Sequence, residues 1–140
     1  APLRRGARPA PRDGARARVI EAWIRAFLLT QIVEVPIHAQ APGLALGWRR
    51  RLAVGFAASA MTHPMVWFVI PAIVMPLAPT GDHATDWWIH VAISEAFAVG
   101  AEALWLSVFG VAPARAALWS LFANGASFAF GLFCYERLGW

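Results

Sequence analysis

Residues 52–77, LAVGFAASAMTHPMVWFVIPAIVMPL, contain no Asp, Glu, Lys or Arg, and the next charged side chain is Asp82. A hydrocarbon core about 30 Å thick takes roughly 20 helical residues to cross. This stretch is long enough and apolar enough to do so. Pro64, Pro71 and Pro76 punctuate it and Pro79 follows. Proline removes a backbone donor and crowds the turn before it, which predicts a kink near Pro64 or Pro71 and an end near Leu77.

Working outward, the whole chain has the same character. Its 140 residues are 59% hydrophobic and 14% charged, where soluble domains run at roughly 45–50% apolar and about 25% charged. That excludes an ordinary soluble domain, and so many apolar side chains exclude a disordered chain equally well. Three more apolar segments surround the first. One runs from about Val19 to Ala39 and stops at Pro42-Gly43. Another starts with Thr85 or Asp86 as N-cap ahead of Trp87 and Trp88 and reaches Phe109. The last has Pro113 in its first turn and ends near Arg137. The expected fold is all-α: a polytopic integral membrane protein, with four transmembrane helices in an up-down bundle. The helices fall at about 19–39, 52–77, 86–109 and 113–137, and a bacterial inner membrane is the expected location. Residues 1–18, rich in Arg, Pro, Gly and Ala without an apolar period, read as a disordered tail ahead of the 19–140 membrane domain.

All twelve basic residues are Arg, six of them before residue 19. This looks like compositional bias and gives no reason to expect a nucleic-acid partner. Cys134 is the only cysteine, so neither an internal disulfide nor a paired-cysteine metal motif is available. Trp23, Trp87, Trp88, Tyr135 and Trp140 fall at one expected interface and Trp48, Trp105 and Trp119 at the other, the depth that amphipathic rings prefer. Arg49, Arg50 and Arg51 follow Trp48 and are expected to meet anionic lipid headgroups, each contributing about 1 kcal/mol. The acidic loop 78–86 and this Arg cluster lean towards termini outside, although counting the Arg of the tail reverses the balance.

The spans carry polar residues that lipid does not tolerate without a reason. A charge at the bilayer centre costs roughly 2.5–3.5 kcal/mol on insertion scales. Glu34 and His38 are four residues apart, Glu95 and Glu102 seven apart, and Ser120, Asn124, Ser127 and Gly131 follow a four, three, four pattern. Each spacing repeats along one side of a helix. Helical rise places Glu34, His63 and Glu102 at similar depth. One buried cluster of Glu34, His38, His63, Glu95, Glu102, Asn124 and Ser127 is therefore expected to join all four helices.

Two readings of that cluster stay open. The polar groups are interhelical glue in a structural subunit of a larger membrane assembly, or they bind or conduct protons or a divalent cation, for which carboxylate and imidazole are suitable donors. A divalent metal ion is the cofactor such a cluster would take. A homo- or hetero-oligomer within the lipid bilayer is expected, because one four-helix unit leaves little room for a water path. A di-iron carboxylate bundle would need Glu-x-x-His pairs, and none is present. A second constellation, Asp82, His83, Asp86 and His90, could hold a metal at the membrane surface, although Asp86 reads more simply as a helix cap. No Walker loop, dinucleotide glycine fingerprint, His-Glu-x-x-His or Gly-x-Ser-x-Gly occurs. That weighs against an enzyme, which would also need a cavity reaching the cluster.

Overall fold

A computed structural model describes residues 12–77 and 80–139 of the chain. It is all-helical, with no strand among the described residues. Four rods are present. Helix α1 spans Arg12–Ala39, and α2 (Trp48–Pro64) continues through a π-helical turn (Met65–Val69) into α3 (Ile70–Leu77). Helices α4 (His83–Val108) and α5 (Pro113–Leu138) complete the set.

Three of these rods, Trp48–Leu77, His83–Val108 and Pro113–Leu138, are long and apolar enough to cross a membrane. Helix α1 is not among them. Glu21 and Arg25 interrupt its first half and Gln31, Glu34 and His38 its second, and the run from 26 to 39 that holds most of its apolar residues measures only about 21 Å at helical rise. The tail expected to be disordered through residue 18 is helical from Arg12, and residues 1–11 lie outside the described residues. No proline stands between Pro11 and Pro36, and the Ala and Arg residues between them are good helix formers.

Two other boundaries move for local reasons. Helix α2 starts at Trp48 rather than Leu52, because Gly47 is extended and its carbonyl receives the amides of both Arg50 and Arg51. Asp82, rather than Thr85 or Asp86, caps α4, its Oδ2 accepting from the Thr85 amide at 3.0 Å. The π turn lies between the two prolines expected to bend the rod, and its exit is marked by the Ile70 amide bonding five residues back to Met65. Pro71 cannot donate to the Trp67 carbonyl and would crowd it, so a wider turn just ahead of Pro71 relieves the misfit.

Each rod packs against two others, in the cyclic order α1, α2, α4, α5. At one end the loops 40–47 and 109–112 meet. Gly43 and Gly110 both take positive φ there, 105° and 93°. A Cβ on Gly43 would lie 3.4 Å from the Gly110 carbonyl, so glycine serves both the turn and the close approach. Ala41, Leu44, Val54, Leu106, Val111 and Ala116 form the buried apolar cluster under these loops. The Trp105 indole donates to the Val54 carbonyl at 3.0 Å, and Trp119 donates to that of Ile37 at 2.6 Å. These two rings pin neighbouring helices together, whereas Trp48 is exposed.

Beyond that apolar cluster, Ile70, Cys134 and four alanines, the buried side chains are polar: Glu34, His38, Ser59, Thr62, His63, Ser94, Glu102, Ser120, Asn124 and Ser127. Large apolar side chains point outward, including Ile32, Leu104, Val108 and Leu118. Water-soluble folds distribute these residue types the other way round.

Candidate functional site

Glu34 and His38 lie one turn apart near the end of α1 and face the interior, 2% and 0% exposed. Gly55 on α2 lets the two helices approach. A Cβ there would lie 3.0 Å from both the His38 Cβ and the Val35 carbonyl oxygen, tight enough that these neighbours would have to shift. From the same face of α2, Ser59 donates to Glu34 Oε2 at 2.5 Å and Thr62 donates to Glu102 Oε1 at 2.9 Å. From α5, Ser127 donates to Glu34 Oε1 at 2.5 Å and Asn124 donates to Glu102 Oε2 at 2.5 Å. All four rods therefore contribute to one polar centre.

His38 completes it. Its Nε2 lies 3.4 Å from Glu102 Oε2, and neither ring nitrogen has a hydrogen-bond partner. Glu34, His38 and Glu102 each present a ligand atom within 4.8 Å of the other two, the only such group of His, Cys, Asp and Glu among the described residues. Tetrahedral ligands at metal distances of about 2.0–2.2 Å stand about 3.4 Å apart, so atoms within 4.8 Å of one another need to close in by no more than about 1.4 Å. Neither carboxylate pairs with an Arg among the described residues.

Of the residues expected to share this centre, Glu34, His38, Glu102, Asn124 and Ser127 do so. His63 and Glu95 do not. The His63 ring sits against aromatic rings, 5.3 Å from Phe27, 6.0 Å from Trp67 and 6.2 Å from Trp23 between centroids. It follows Thr62 directly in the chain, and successive side chains point about 100° apart around a helix. Glu95 lies two turns from Glu102, about 10.5 Å along the axis, and lines a cavity instead. Ser59 joins the centre although it is not among the residues expected there. Its spacing with Gly55 and Thr62, four and three residues, was the available signal for that face. Ser120 is fully buried beside the centre's α5 residues, its hydroxyl without a partner.

The acidic-loop residues do not gather into a metal site. Asp82 accepts from the Thr85 hydroxyl as well as its amide, bonds that hold its carboxyl below the ordinary carboxylate range. Asp86 accepts from the Thr80 amide and hydroxyl, each at 2.7 Å. His90 Nδ1 lies 3.4 Å from the Ser94 hydroxyl, and His83 is exposed. Arg51 differs from its expected role at the headgroups. Its guanidinium donates to the carbonyls of Leu46 at 2.9 Å, Ala39 at 3.4 Å and Leu44, closing the end of α1. Arg49 and Arg50 remain exposed.

A cavity of about 690 Å³ leads to the polar centre from the end opposite the packed loops. Glu34, Thr62, Asn124 and Ser127 border it at one end and Arg18, Glu21 and Arg25 at the other, with Leu29, Val66, Phe128 and Leu132 between. One four-helix unit is expected to leave little room for a water path, and the parted rods provide this access route. The chain matches no protein-family model, no curated protein and no solved structure.

Proposed function

We propose that this is an integral membrane protein of four spans that binds a divalent transition-metal cation at Glu34, His38 and Glu102. The observation that carries the proposal is His38. A fully buried imidazole with no hydrogen-bond partner, set against a carboxylate, is costly unless something occupies its lone pair. Charge argues the same way. Two carboxylates face one imidazole, and ionised groups in lipid require neutralisation by cations or protons. Mixed carboxylate and imidazole donors suit Zn, Fe or Mn. Three protein ligands leave a position open for an exogenous group.

The membrane reading rests on three apolar helices and on the outward-facing Leu, Ile and Val. In that reading α1 is the fourth span, with Arg18 and Arg25 reaching towards one interface while its apolar half packs into an up-down bundle. Arg49 and Arg50 meet headgroups at the other interface, and the bacterial inner membrane is the proposed location. Metal analysis of the detergent-purified protein is the direct test. One cation per chain is expected. Glu102→Gln and His38→Ala should lose it while circular dichroism still reports a folded helical protein.

A second reading is favoured by the four neutral donors already seated on the two carboxylates. In it the cluster is interhelical glue, and the chain is a structural subunit within a homo- or hetero-oligomer. That account requires Glu102→Gln to leave metal content unchanged and to alter assembly.

A further inference from the structure

We infer that the cavity binds a single long-chain lipid with an uncharged oxygen head, a long-chain alcohol, whose oxygen completes the coordination of the cation. The inference rests on the metal reading above.

Access decides where the head goes. Of the three ligand residues, only Glu34 borders the cavity, while the far side of the centre is sealed by the loops and the Leu44, Leu106 and Val111 cluster. An exogenous ligand therefore reaches the open coordination position through the cavity. The route is a long, partly open cleft. Arg18 at the mouth and Glu34 at the floor are separated along α1 by roughly 24 Å of helical rise, and about 690 Å³ is spread over that length. The wall between them is apolar, with Leu29, Val66, Phe128 and Leu132. One extended hydrocarbon chain fits such a shape, and an apolar wall with a few polar groups at the end is how small-molecule sites fix orientation.

Charge selects the head. Glu34 and Glu102 already balance a divalent cation, and Glu95 adds a further acidic group to the cavity wall. A carboxylate head would add another negative charge to this set, and an ammonium head would be repelled by the cation. A hydroxyl meets both demands, offering a lone pair to the cation and its proton to a carboxylate. At the mouth Arg25 is paired with Glu21, and Arg18 stands roughly 24 Å of helical rise from Glu34, too far to neutralise a carboxylate head at the cation.

The test uses the full chain in lipid nanodiscs loaded with Zn or Mn. Tritiated hexadecanol is the probe, palmitate and hexadecylamine are competitors of equal chain length, and metal content is read on the same samples. The expected result is saturable binding of one hexadecanol per chain, about tenfold tighter than either competitor. Leu132→Trp, or Leu29→Trp if the first variant does not fold, should abolish hexadecanol binding at unchanged metal content. Glu102→Gln should lose the metal and weaken hexadecanol about tenfold. A metal-loaded protein that binds palmitate or hexadecylamine as well as hexadecanol overturns this inference and leaves the metal site standing. So does a Trp-filled cavity that still binds the alcohol. Absence of bound metal from the unmodified chain overturns both.

Discussion

The two ends of the bundle are built to different rules. At the loop end, apolar side chains from three helices and both loops close over one another, two indoles clamp neighbouring backbones, and the Arg51 guanidinium gathers three carbonyls. At the other end the same four rods part around a cavity. Glu34, His38 and Glu102 lie at the boundary. The packed side fixes His38 and Glu102 in place, and the open side exposes Glu34 to whatever enters. The proposed metal site, which would hold its ligand atoms in a set geometry and still admit a partner, needs both surroundings.

The contrast can be broken at its hinge. Gly55 permits the close approach of α1 and α2 that seats His38. Gly55→Leu should push the two helices apart, costing about 1–3 kcal/mol or more from overpacking. Thermal unfolding in detergent should show the loss, together with loss of the cation proposed to bind at the centre. Next in size is a matched pair of truncations. Leu106 is fully buried at the packed end, and Leu132 borders the cavity. In the proposed membrane setting lipid is as apolar as leucine, so only the packing part of the usual cost applies. Leu106→Ala should still cost about 2 kcal/mol, the low end for a buried leucine, while Leu132→Ala should fall within about 0.5 kcal/mol. Equal losses in the two variants would show that the ends do not differ in packing.

How far the sequence announced this arrangement depends on which spacing is considered. Glu34 and His38, and Asn124 and Ser127, are one turn apart or less and could be read as neighbours, because helical period fixes both angle and depth over so short a distance. Glu95 and Glu102 share a face yet stand two turns apart, and the face alone did not reveal that one would enter the centre and the other the cavity. Thr62 and His63 are adjacent in sequence but diverge in direction. Of the two, the less conspicuous hydroxyl is the one that reaches Glu102. Ser59 escaped notice because small hydroxyls are ordinary in apolar helices and carry no charge to flag them. The extent of α1 was misread for a different reason. Arg and Ala favour helix whether or not they can enter a membrane, so the absence of an apolar period said nothing about helicity between Arg12 and Arg18.

A smaller effect tests whether the indoles at the packed end act as clamps or merely fill space. Trp119→Phe keeps an aromatic ring but removes the N–H that meets the Ile37 carbonyl. It should cost about 1 kcal/mol, measured by unfolding in detergent, and it should leave metal content intact because His38 is held on its other side by Gly55. A loss of metal in this variant would mean that α5, rather than α2, sets the position of α1.

The smallest expected change lies at the open end, where order is local. Asp82 caps α4 through the Thr85 amide and hydroxyl, and those bonds draw its carboxyl below its ordinary value. A carboxyl whose folded value is depressed stabilises the fold above its unfolded value, and that contribution disappears as pH falls through the folded one. Amide hydrogen exchange at Thr85 should therefore be protected at neutral pH and accelerate on acidification below the ordinary carboxylate range. In Asp82→Ala the same amide should exchange quickly throughout, while amides around Leu106 stay protected in both proteins. The far end of α4 is held by packing that a missing cap cannot reach, because the influence of a cap fades within the first turn. Acceleration that spread along α4 to Leu106 would mean that the two ends unfold as one unit, and the division between an open and a closed half would fail.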